Sequence, residues 1–336
     1  MKTQIVICSA ALIAAVSLAH SETMKAIVVH QYGGPEVLKY EDAPRPEPKA
    51  NEVLIRVKAA SINPVDAAIR NGYLKQFTGS NFPLILGMDA AGEIEKVGAK
   101  IDRFKVGDPV IAFFTLAGEG GYAQFVVATE NEIARKPNTI TFEQAAAVPA
   151  AGSTAWKALV ETGDLKAGQT VLIHGGSGGV GHFAIQIAKA RGAKVIATAS
   201  TANQDFLKKM GADVAVDYTK QKFEDVAKDV DLVLDSVGED TLKRSYGVVK
   251  KGGMIVSIVD DIDPNELAAR GIRGATIRTD PNEKTLDELV RLIDAKEITP
   301  VVSQVLPLSE VDKAHQQIAT RHTRGKIVLK VPDAPK

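Results

Sequence analysis

Cysteine is almost absent from this chain of 336 residues, in which Cys8 is the only one. A single cysteine cannot form a disulfide within the chain, so no disulfide framework supports the fold. An excess of charge is also absent, because 41 Lys and Arg residues balance 41 Asp and Glu residues. This balance gives no electrostatic reason to expect a nucleic-acid or anionic-membrane partner. With 45% hydrophobic residues, the chain has the composition of a globular protein with room for two domains.

A hydrophobic run long enough for a membrane span is missing as well. The mainly apolar run from Ile5 to Ala19 follows Lys2 and is short for a span. Its flanks and its small residues predict a secretory signal peptide in residues 1–21, which would leave no span in the mature chain. The alternative is that translation begins at Met24. The first reading places the protein in the periplasm or outside the cell and the second in the cytoplasm, and both stay open.

Clustered metal ligands are the next absence. A catalytic zinc needs three protein ligands, and a structural zinc usually has four that include thiolates. The six histidines lie far apart in the sequence, at positions 20, 30, 174, 182, 315 and 322. The sequence therefore predicts no metal site, which disfavours simple alcohol oxidation because that reaction relies on a metal to stabilise an alkoxide.

Glycine, in contrast, is concentrated in one place. The apolar run from Val171 to Ile173 precedes five glycines within Gly175–Gly181, and a helical pattern follows from Phe183. Gly176, Gly178 and Gly181 match G-x-G-x-x-G, in which the glycines allow a tight turn, a close approach of phosphate and close packing of helix on strand. The order of strand, glycine turn and helix predicts that a nucleotide pyrophosphate binds at the helix N-terminus.

Strand and helix patterns alternate through the second half of the chain. Predicted strands are Lys194–Ala199, Val214–Asp217, Leu232–Asp235, Met254–Val259 and, more weakly, Ala275–Arg278. Predicted helices are Asn203–Met210, Lys222–Lys228, Asp240–Val249 and Thr285–Lys296. This alternation predicts βαβ units and a parallel sheet with helices on both faces. We place this α/β, Rossmann-type doubly wound domain at residues 150–296.

The turn after the second strand of this domain lacks an acidic residue. An Asp or Glu there would bind the ribose hydroxyls of NAD. The chain has Ala199-Ser-Thr-Ala-Asn203 instead, and the hydroxyls of Ser200 and Thr201 favour the 2′-phosphate of NADPH. The alternative is that these polar residues simply cap the next helix. No Lys or Arg stands in the turn, and the short basic cluster Arg321–Arg324 is interpreted as solvated surface.

The first half of the chain is predicted to be rich in strands. They are Lys25–His30, Glu52–Ala60, Ala90–Val97, Pro109–Phe114 and Gly121–Ala128, separated by turn signals. The end of the chain belongs with them: a capping box at Ser309–Asp312 predicts a helix to about Arg321, followed by the strand Lys326–Val331. Residues 24–149 and 297–336 are therefore predicted to form a β-rich substrate domain into which the nucleotide domain is inserted. A cleft between the two can bring cofactor and substrate together.

Several segments resemble the zinc-independent quinone oxidoreductases of the medium-chain dehydrogenase/reductase superfamily, and related NADPH-dependent enone and alkenal reductases. They are Gly33–Leu38, Ser61-Ile-Asn-Pro-Val-Asp66, Phe82–Gly92, Val106–Val110, Gly120–Ala123, Ala145–Ala155 and Arg324–Val328. The resemblance covers nearly everything after residue 23. It implies a GroES-like fold for the β-rich domain and a homodimer.

The resemblance also implies roles for residues on the acceptor side. Asn63 is the candidate for orienting the acceptor or the nicotinamide. Some relatives carry Tyr or Lys five residues later, where this chain has Ala68, so that role is lost or moved to Tyr73 or Tyr122. Asp66 is a catalytic candidate or a structural turn residue.

On the cofactor side, the resemblance assigns each part of the dinucleotide to its own residues. They are Thr154 near the nicotinamide amide, Ser177, Gly178, Gly179 and Val180 on the pyrophosphate, Ser200 and Asn203 near the 2′-phosphate, Tyr218 at the adenosine end, and Val237 and Gly238 at the switch-point crevice.

Together these features predict an NADPH-dependent reductase that transfers a hydride to quinones or α,β-unsaturated carbonyls. The cofactor supplies the chemistry, and the protein supplies orientation and polarity. The product anion can take its proton from water. The alternative is a protein that binds NADPH as a sensor or scaffold without turnover.

Overall fold

The computed structural model describes residues 22–79, 81–116 and 120–334; the predicted signal segment, residues 1–21, lies outside them. Within this part of the chain the strands are β1 (Thr23–Val29), β2 (Leu38–Pro44), β3 (Glu52–Ser61), β4 (Leu84–Ile85), β5 (Asp89–Val97), β6 (Pro109–Phe113), β7 (Phe125–Thr129), β8 (Ile133–Arg135), β9 (Thr170–Ile173), β10 (Lys194–Ala199), β11 (Val214–Asp217), β12 (Val230–Asp235), β13 (Val249–Ser257), β14 (Arg273–Thr276), β15 (Val302–Pro307) and β16 (Lys326–Lys330). The helices are α1 (Pro64–Arg70), α2 (Lys75–Thr78), α3 (Phe142–Ala146), α4 (Pro149–Trp156), α5 (Gly179–Ala190), α6 (Gln204–Lys209), α7 (Glu239–Ser245), α8 (Pro264–Arg270), α9 (Glu283–Asp294) and α10 (Val311–Ala319). None of these helices is long and apolar enough to cross a membrane.

Strands β9 to β14 form one six-stranded parallel sheet in the order β11-β10-β9-β12-β13-β14. Counted from β9, this order is 3-2-1-4-5-6, which is typical of dinucleotide-binding folds. Val171, Leu172 and Ile173 of β9 are fully buried, as expected for a strand covered on both faces. The strand order reverses between β9 and β12, so a crevice opens at the carboxyl ends of these two strands. The predicted α/β class is confirmed.

Two other sheets contain the strands from both ends of the chain. The larger has the order β15-β16-β3-β5-β6-β8, with β7 also paired to β3, and the smaller has the order β2-β1-β4. Strand β16 runs antiparallel to β3 and places Val328 opposite Ser61. The end of the chain therefore completes a sheet begun near its start, and the parallel sheet is inserted between them. The domain limits at 149/150 and 296/297 stay a prediction.

The predicted helix Lys222–Lys228 is wrong. Only a single 3-10 turn, Phe223–Asp225, forms there. A segment of seven residues makes less than two helical turns, which is too few to offset the cost of starting a helix without strong packing. Phe223 and Ala227 are buried instead against one face of the parallel sheet.

Two other predicted helix limits are also wrong. The helix predicted as Asp240–Val249 ends at Ser245, because Val249 pairs with Val230 and begins β13 five residues before the predicted start. β-branched residues favour strands, so Val248 and Val249 act against continuation of the helix. At the end of the chain, Ser309 lies inside a 3-10 turn after Pro307, and α10 starts at Val311 without the predicted capping box.

Candidate functional site

The glycine turn leaves open space above the N-terminus of α5. β9 ends at Ile173, and α5 begins directly after its N-cap residue, Gly178. A Cβ atom on Gly178 would meet only the carbonyl oxygen of Gly175, at 3.3 Å. The first N–H groups of a helix have no partners within the helix, and they favour an anion. The turn therefore fits a pyrophosphate, as the sequence predicts.

The other glycines of the turn have packing roles. A Cβ on Gly181 would lie 2.2 Å from the Gly175 carbonyl oxygen, so only glycine allows this helix to sit so close to the strand. Gly176 is packed against Leu207 and has no positive φ. The positive φ of the tight turn, +66°, belongs to Gly175, which lies outside the predicted glycine pattern.

On the other side of the crevice, the turn after β12 contains Val237 and Gly238. Both backbone N–H groups donate to Oδ1 of Asp235, at 3.2 and 3.0 Å. Gly238 has φ +80°, and the Val237 side chain is exposed. A Cβ on Gly175 would be 3.6 Å from Val237, so the two turns lie next to each other. The structure therefore brings these predicted cofactor residues together. Thr154 is half-buried in the second half of α4, a helix that α5 contacts.

The turn that follows β10 is supplied with positive charge from a distant segment. Arg324 donates from Nε to Oδ1 of Asn203 (2.8 Å) and from Nη2 to the Ala202 carbonyl (3.0 Å). Asn203 in turn donates to Oγ of Ser200 (3.2 Å). The interpretation of Arg321–Arg324 as mere solvated surface is wrong for Arg324, because this residue lies 121 positions away in sequence yet contacts the turn.

The Asp217 carboxylate beside this turn is hydrogen-bonded by neighbouring hydroxyl groups. Asp217, at the end of β11, accepts from the hydroxyls of Thr201 (2.6 Å) and Thr219 (2.7 Å). These bonds hold the pKa of the Asp217 carboxyl below its usual value. Thr201 therefore faces Asp217. Tyr218 is exposed beside the turn, and its backbone N–H donates to the Ala199 carbonyl at 3.3 Å.

The side chain of Asn63 is held on both sides. Asn63 caps α1 through its backbone, whose N–H donates to Oδ2 of Asp66 at 2.8 Å. Its side-chain Nδ2 donates to Oδ2 of Asp89 (2.8 Å), and its Oδ1 accepts from Nζ of Lys326 (2.5 Å). The residue is 6% exposed. Asn63 and Asp66 thus form a capping box at the start of α1, and the Asn63 carboxamide also belongs to the cluster around Asp89.

Asp66 anchors the structure beneath Asn63. It is fully buried and accepts from the N–H groups of Asn63 and Met88 and from the hydroxyl of Tyr122 (2.8 Å). Burial raises the pKa of Asp66 to about 6. Because the Tyr122 hydroxyl already donates to Asp66, it is not free to donate to an acceptor. Tyr73 is 75% exposed in the turn after α1.

Asp89 and Lys326 form a buried ion pair that sequence reasoning did not identify. Asp89 is 0% exposed and Lys326 is 4% exposed, and their charged atoms are 3.3 Å apart. Asp89 also accepts from Oγ of Ser61 (2.6 Å) and from the backbone N–H of Ala150 (2.7 Å). The available signal was a charged residue at the start of the apolar strand Lys326–Lys330, where a lysine would ordinarily be exposed.

The cluster and the glycine turn are joined by two consecutive residues. The N–H of Gly325 donates to the Ser177 carbonyl at 2.8 Å. The stem of Lys326 lies 3.1 Å from the position of a Cβ on Gly179. The predicted pyrophosphate turn and the Asn63 side chain are therefore both in contact with the segment Gly325–Lys326. Across residues 22–79, 81–116 and 120–334, no group of three or more His, Cys, Asp or Glu side chains could hold a metal ion.

Two family models match parts of the chain. Residues 49–138 match the alcohol dehydrogenase GroES-like domain, and residues 210–329 match the model described as zinc-binding dehydrogenase. The first match covers part of the β-rich region. The second covers β11 to β14 of the parallel sheet and then β15 and most of β16.

Proteins of known name match nearly the whole chain. A chloroplastic NADPH-dependent alkenal/one oxidoreductase of Arabidopsis thaliana is 38% identical over 91% of this chain and 79% of its own length. A quinone oxidoreductase of Pseudomonas aeruginosa is 36% identical over 91% of this chain and 99% of its own length. The solved structure of the quinone oxidoreductase from Coxiella burnetii is 37% identical, covers 93% of this chain and all of its own, and superposes with a TM-score of 0.87.

Proposed function

The chain belongs to the zinc-independent quinone oxidoreductase family of the medium-chain dehydrogenase/reductase superfamily, and from this membership we propose that it reduces quinones or α,β-unsaturated carbonyls with NADPH. It is an oxidoreductase that uses a nicotinamide cofactor. The choice of NADPH, the class of acceptor and the independence from zinc are our proposals. One observation carries the proposed hydride transfer: the segment Gly325–Lys326 contacts both the pyrophosphate turn and the Asn63 carboxamide.

NADPH, when bound, supplies the hydride. The N-terminus of α5 and the open space above Gly178 would hold its pyrophosphate. Asn63 provides an amide N–H for the oxygen of the acceptor, where negative charge develops during reduction. The proton can come from water, because a quinone or enone anion needs no strong acid. The chain thus contributes orientation and polarity.

The preference for NADPH is supported by the turn after β10. Among the described residues, none accepts a hydrogen bond from Nη1 of Arg324, and Asn203, which Arg324 contacts, also contacts the hydroxyl of Ser200. A guanidinium at this place increases the affinity for the 2′-phosphate of NADPH. It does not increase the affinity for NADH, which has no such phosphate. The nearby Asp217 carboxylate is engaged by threonine hydroxyls, which reduces its repulsion of a phosphate.

We also infer a homodimer, as the family resemblance implies. Strand β14 is the last strand of the parallel sheet and pairs with β13 alone among the described strands. An edge strand with an unpaired side can extend the sheet by pairing with a second copy.

Turnover is the direct test of the proposed activity. We expect the purified full chain to oxidise NADPH when supplied with an ortho-quinone or a short 2-alkenal, and not with buffer alone. Absorbance at the NADPH band gives the rate, and the ratio of the two rates ranks the acceptor classes. Tight NADPH binding without oxidation by any acceptor would contradict a reductase and support the sensor alternative.

Replacing Arg324 with Gln should reduce the preference for NADPH. Loss of one charged hydrogen-bond donor to a phosphate raises the dissociation constant of NADPH by about 10- to 100-fold. The affinity for NADH should stay within about twofold, because NADH lacks the 2′-phosphate. Fluorescence titration of both cofactors measures the ratio of their dissociation constants.

The matched control is Arg321→Gln. Arg321 is exposed and lies 3.7 Å from Glu239, and its replacement should leave both affinities unchanged. Equal losses for NADPH and NADH in Arg324→Gln would show that Arg324 only supports the turn.

A further inference from the structure

Lys326 has surroundings that are unusual for a lysine. Only 4% of the residue is exposed, although it begins a strand at the end of the chain. Its ammonium is 3.3 Å from Oδ2 of Asp89 and 2.5 Å from Oδ1 of Asn63. Lysines are rarely buried unless they are paired, and this one is paired at the cleft that borders the glycine turn.

The bonds of Lys326 decide how the Asn63 carboxamide is oriented. A carboxamide has one acceptor oxygen and an NH₂ group with two donors. Lys326 is a pure donor, so it fixes the oxygen of Asn63, while Asp89 is a pure acceptor and fixes one N–H. The group can therefore not rotate by 180° without placing Nδ2 against an ammonium and Oδ1 against a carboxylate. The second N–H of Asn63 has no acceptor in the part of the chain that the structure describes, and its direction is set by the other two bonds.

Lys326 is also attached to the cofactor side of the cleft. Its side-chain stem runs beneath Gly179, and the preceding residue donates a backbone hydrogen bond to Ser177. The same two residues thus contact the glycine turn and orient Asn63. A displacement of Lys326 would alter the position of Asn63 relative to that turn.

We propose that Lys326 is a positioning residue for the reduction: it holds Asn63 so that its one free amide N–H points to the acceptor oxygen. This inference rests on the proposed function. The acceptor gains negative charge on that oxygen as the hydride arrives, and a donor fixed in advance stabilises this charge without reorganisation. A misdirected donor at such a place lowers rates by about 10²-fold.

The first test replaces Lys326 with Met, which keeps the length of the stem and removes the ammonium. We expect kcat with the better acceptor to fall about 100-fold, while the dissociation constant of NADPH changes by less than about twofold. The matched control is Lys330→Met on the same strand, an exposed lysine whose loss should leave kcat unchanged. Because Lys326 acts through Asn63, the double variant Lys326→Met/Asn63→Ala should be no slower than Asn63→Ala alone. Multiplied losses in the double variant would overturn the inference.

A second variant separates positioning from charge pairing. Lys326→Met/Asp89→Asn removes both buried charges and leaves a neutral network around Ser61 and Asn63. If Lys326 only compensates Asp89, this variant should regain both melting temperature and kcat. If Lys326 positions Asn63, the melting temperature should recover and kcat should stay low.

A measurement without turnover completes the test. In protein labelled with ¹⁵N-asparagine, the side-chain amide protons of Asn63 should exchange slowly with solvent, and Lys326→Met should make them exchange at least about tenfold faster. Asn63→Ala assigns the signal. Exchange at the same rate in both proteins would overturn the inference, even if the wild type reduced no acceptor. If the proposed function is wrong, the wild-type protein will reduce no acceptor. If the positioning role is wrong, the exchange rate of Asn63 will be the same in the wild type and in Lys326→Met.

Discussion

Gly178→Val should abolish NADPH binding and leave the fold intact. The space above Gly178 is where the turn admits a pyrophosphate, and a valine side chain would fill it. Two or more backbone hydrogen bonds to a charged phosphate would be lost, which corresponds to a dissociation constant raised about 1,000-fold or more. Because a Cβ there meets only one atom, at 3.3 Å, the melting temperature should fall by no more than a few degrees. Calorimetric titration and a thermal scan measure the two quantities.

Two other glycines provide the controls for this experiment. Gly247 is exposed in the same part of the chain, and a Cβ on it would meet the Arg244 carbonyl oxygen at 3.4 Å. Gly247→Val should therefore leave NADPH binding unchanged. Gly181→Ala should behave in the opposite way and destabilise the protein, because its Cβ would clash with Gly175. Unchanged NADPH affinity in Gly178→Val would contradict the placement of the pyrophosphate at this turn.

Unfolding at mildly acidic pH should take up protons, because three histidines are buried as neutral rings. Burial lowers the pKa of His174 and of His315 to about 3 and that of His182 to about 4. The unfolded chain binds a proton at each of them below pH 6.5, and the native state does not. The free energy of unfolding therefore decreases as the pH falls from about 6.5 towards 4.

Two buried carboxyls act in the opposite direction. Burial raises the pKa of Asp66 to about 6 and also raises that of Asp235, so the native state binds protons there before the unfolded chain does. They offset part of the proton uptake by the histidines. The three histidines outnumber the two carboxyls, so a net uptake near pH 5 remains and the free energy of unfolding decreases as the pH falls towards 4.

Potentiometric comparison of native and urea-unfolded protein at pH 5 measures this uptake directly. His174→Gln should reduce the uptake by about one proton, because Gln keeps a donor for Oγ of Ser245 without titrating. His322 is exposed, and His322→Gln serves as the matched control. Proton release on unfolding at pH 5, or an unchanged uptake in His174→Gln, would contradict the neutral buried rings.

The glycine turn was predictable because all of its information is local. A strand, a cluster of glycines and a helix are consecutive in the sequence, and their physical roles depend on neighbours only a few residues away. The parallel sheet was predictable from the same repeated unit, whereas its strand order comes from the structure. The false helix at Lys222–Lys228 shows the limit of this approach, since a short periodic pattern does not reveal that one buried Phe223 anchors the segment.

Lys326 and Arg324 were not predictable in the same way. Lys326 is 263 residues from Asn63, and Arg324 is 121 residues from Asn203. Neither pairing has a local signal, because the pairing of β16 with β3 determines where both side chains lie. The surroundings of Asp66 had no local signal either. Asp66 is buried and accepts a hydrogen bond from Tyr122, so it is not an exposed catalytic acid. The roles of Tyr73 and Thr154 stay predictions.

The pairing of β16 with β3 also determines when this sheet becomes complete during synthesis. Residues 59–61 of β3 face β16 on one side, and their partner residues 328–330 leave the ribosome long after them. Until then the growing chain has an open strand edge in its first sheet, and open edges are sites of wrong pairing. The parallel sheet, whose strands all lie between residues 170 and 276, is synthesised before β16 and can form earlier. A growing chain that has reached residue 320 contains the glycine turn and still lacks Lys326, so the residues that bind a nucleotide are made before the residue that orients Asn63.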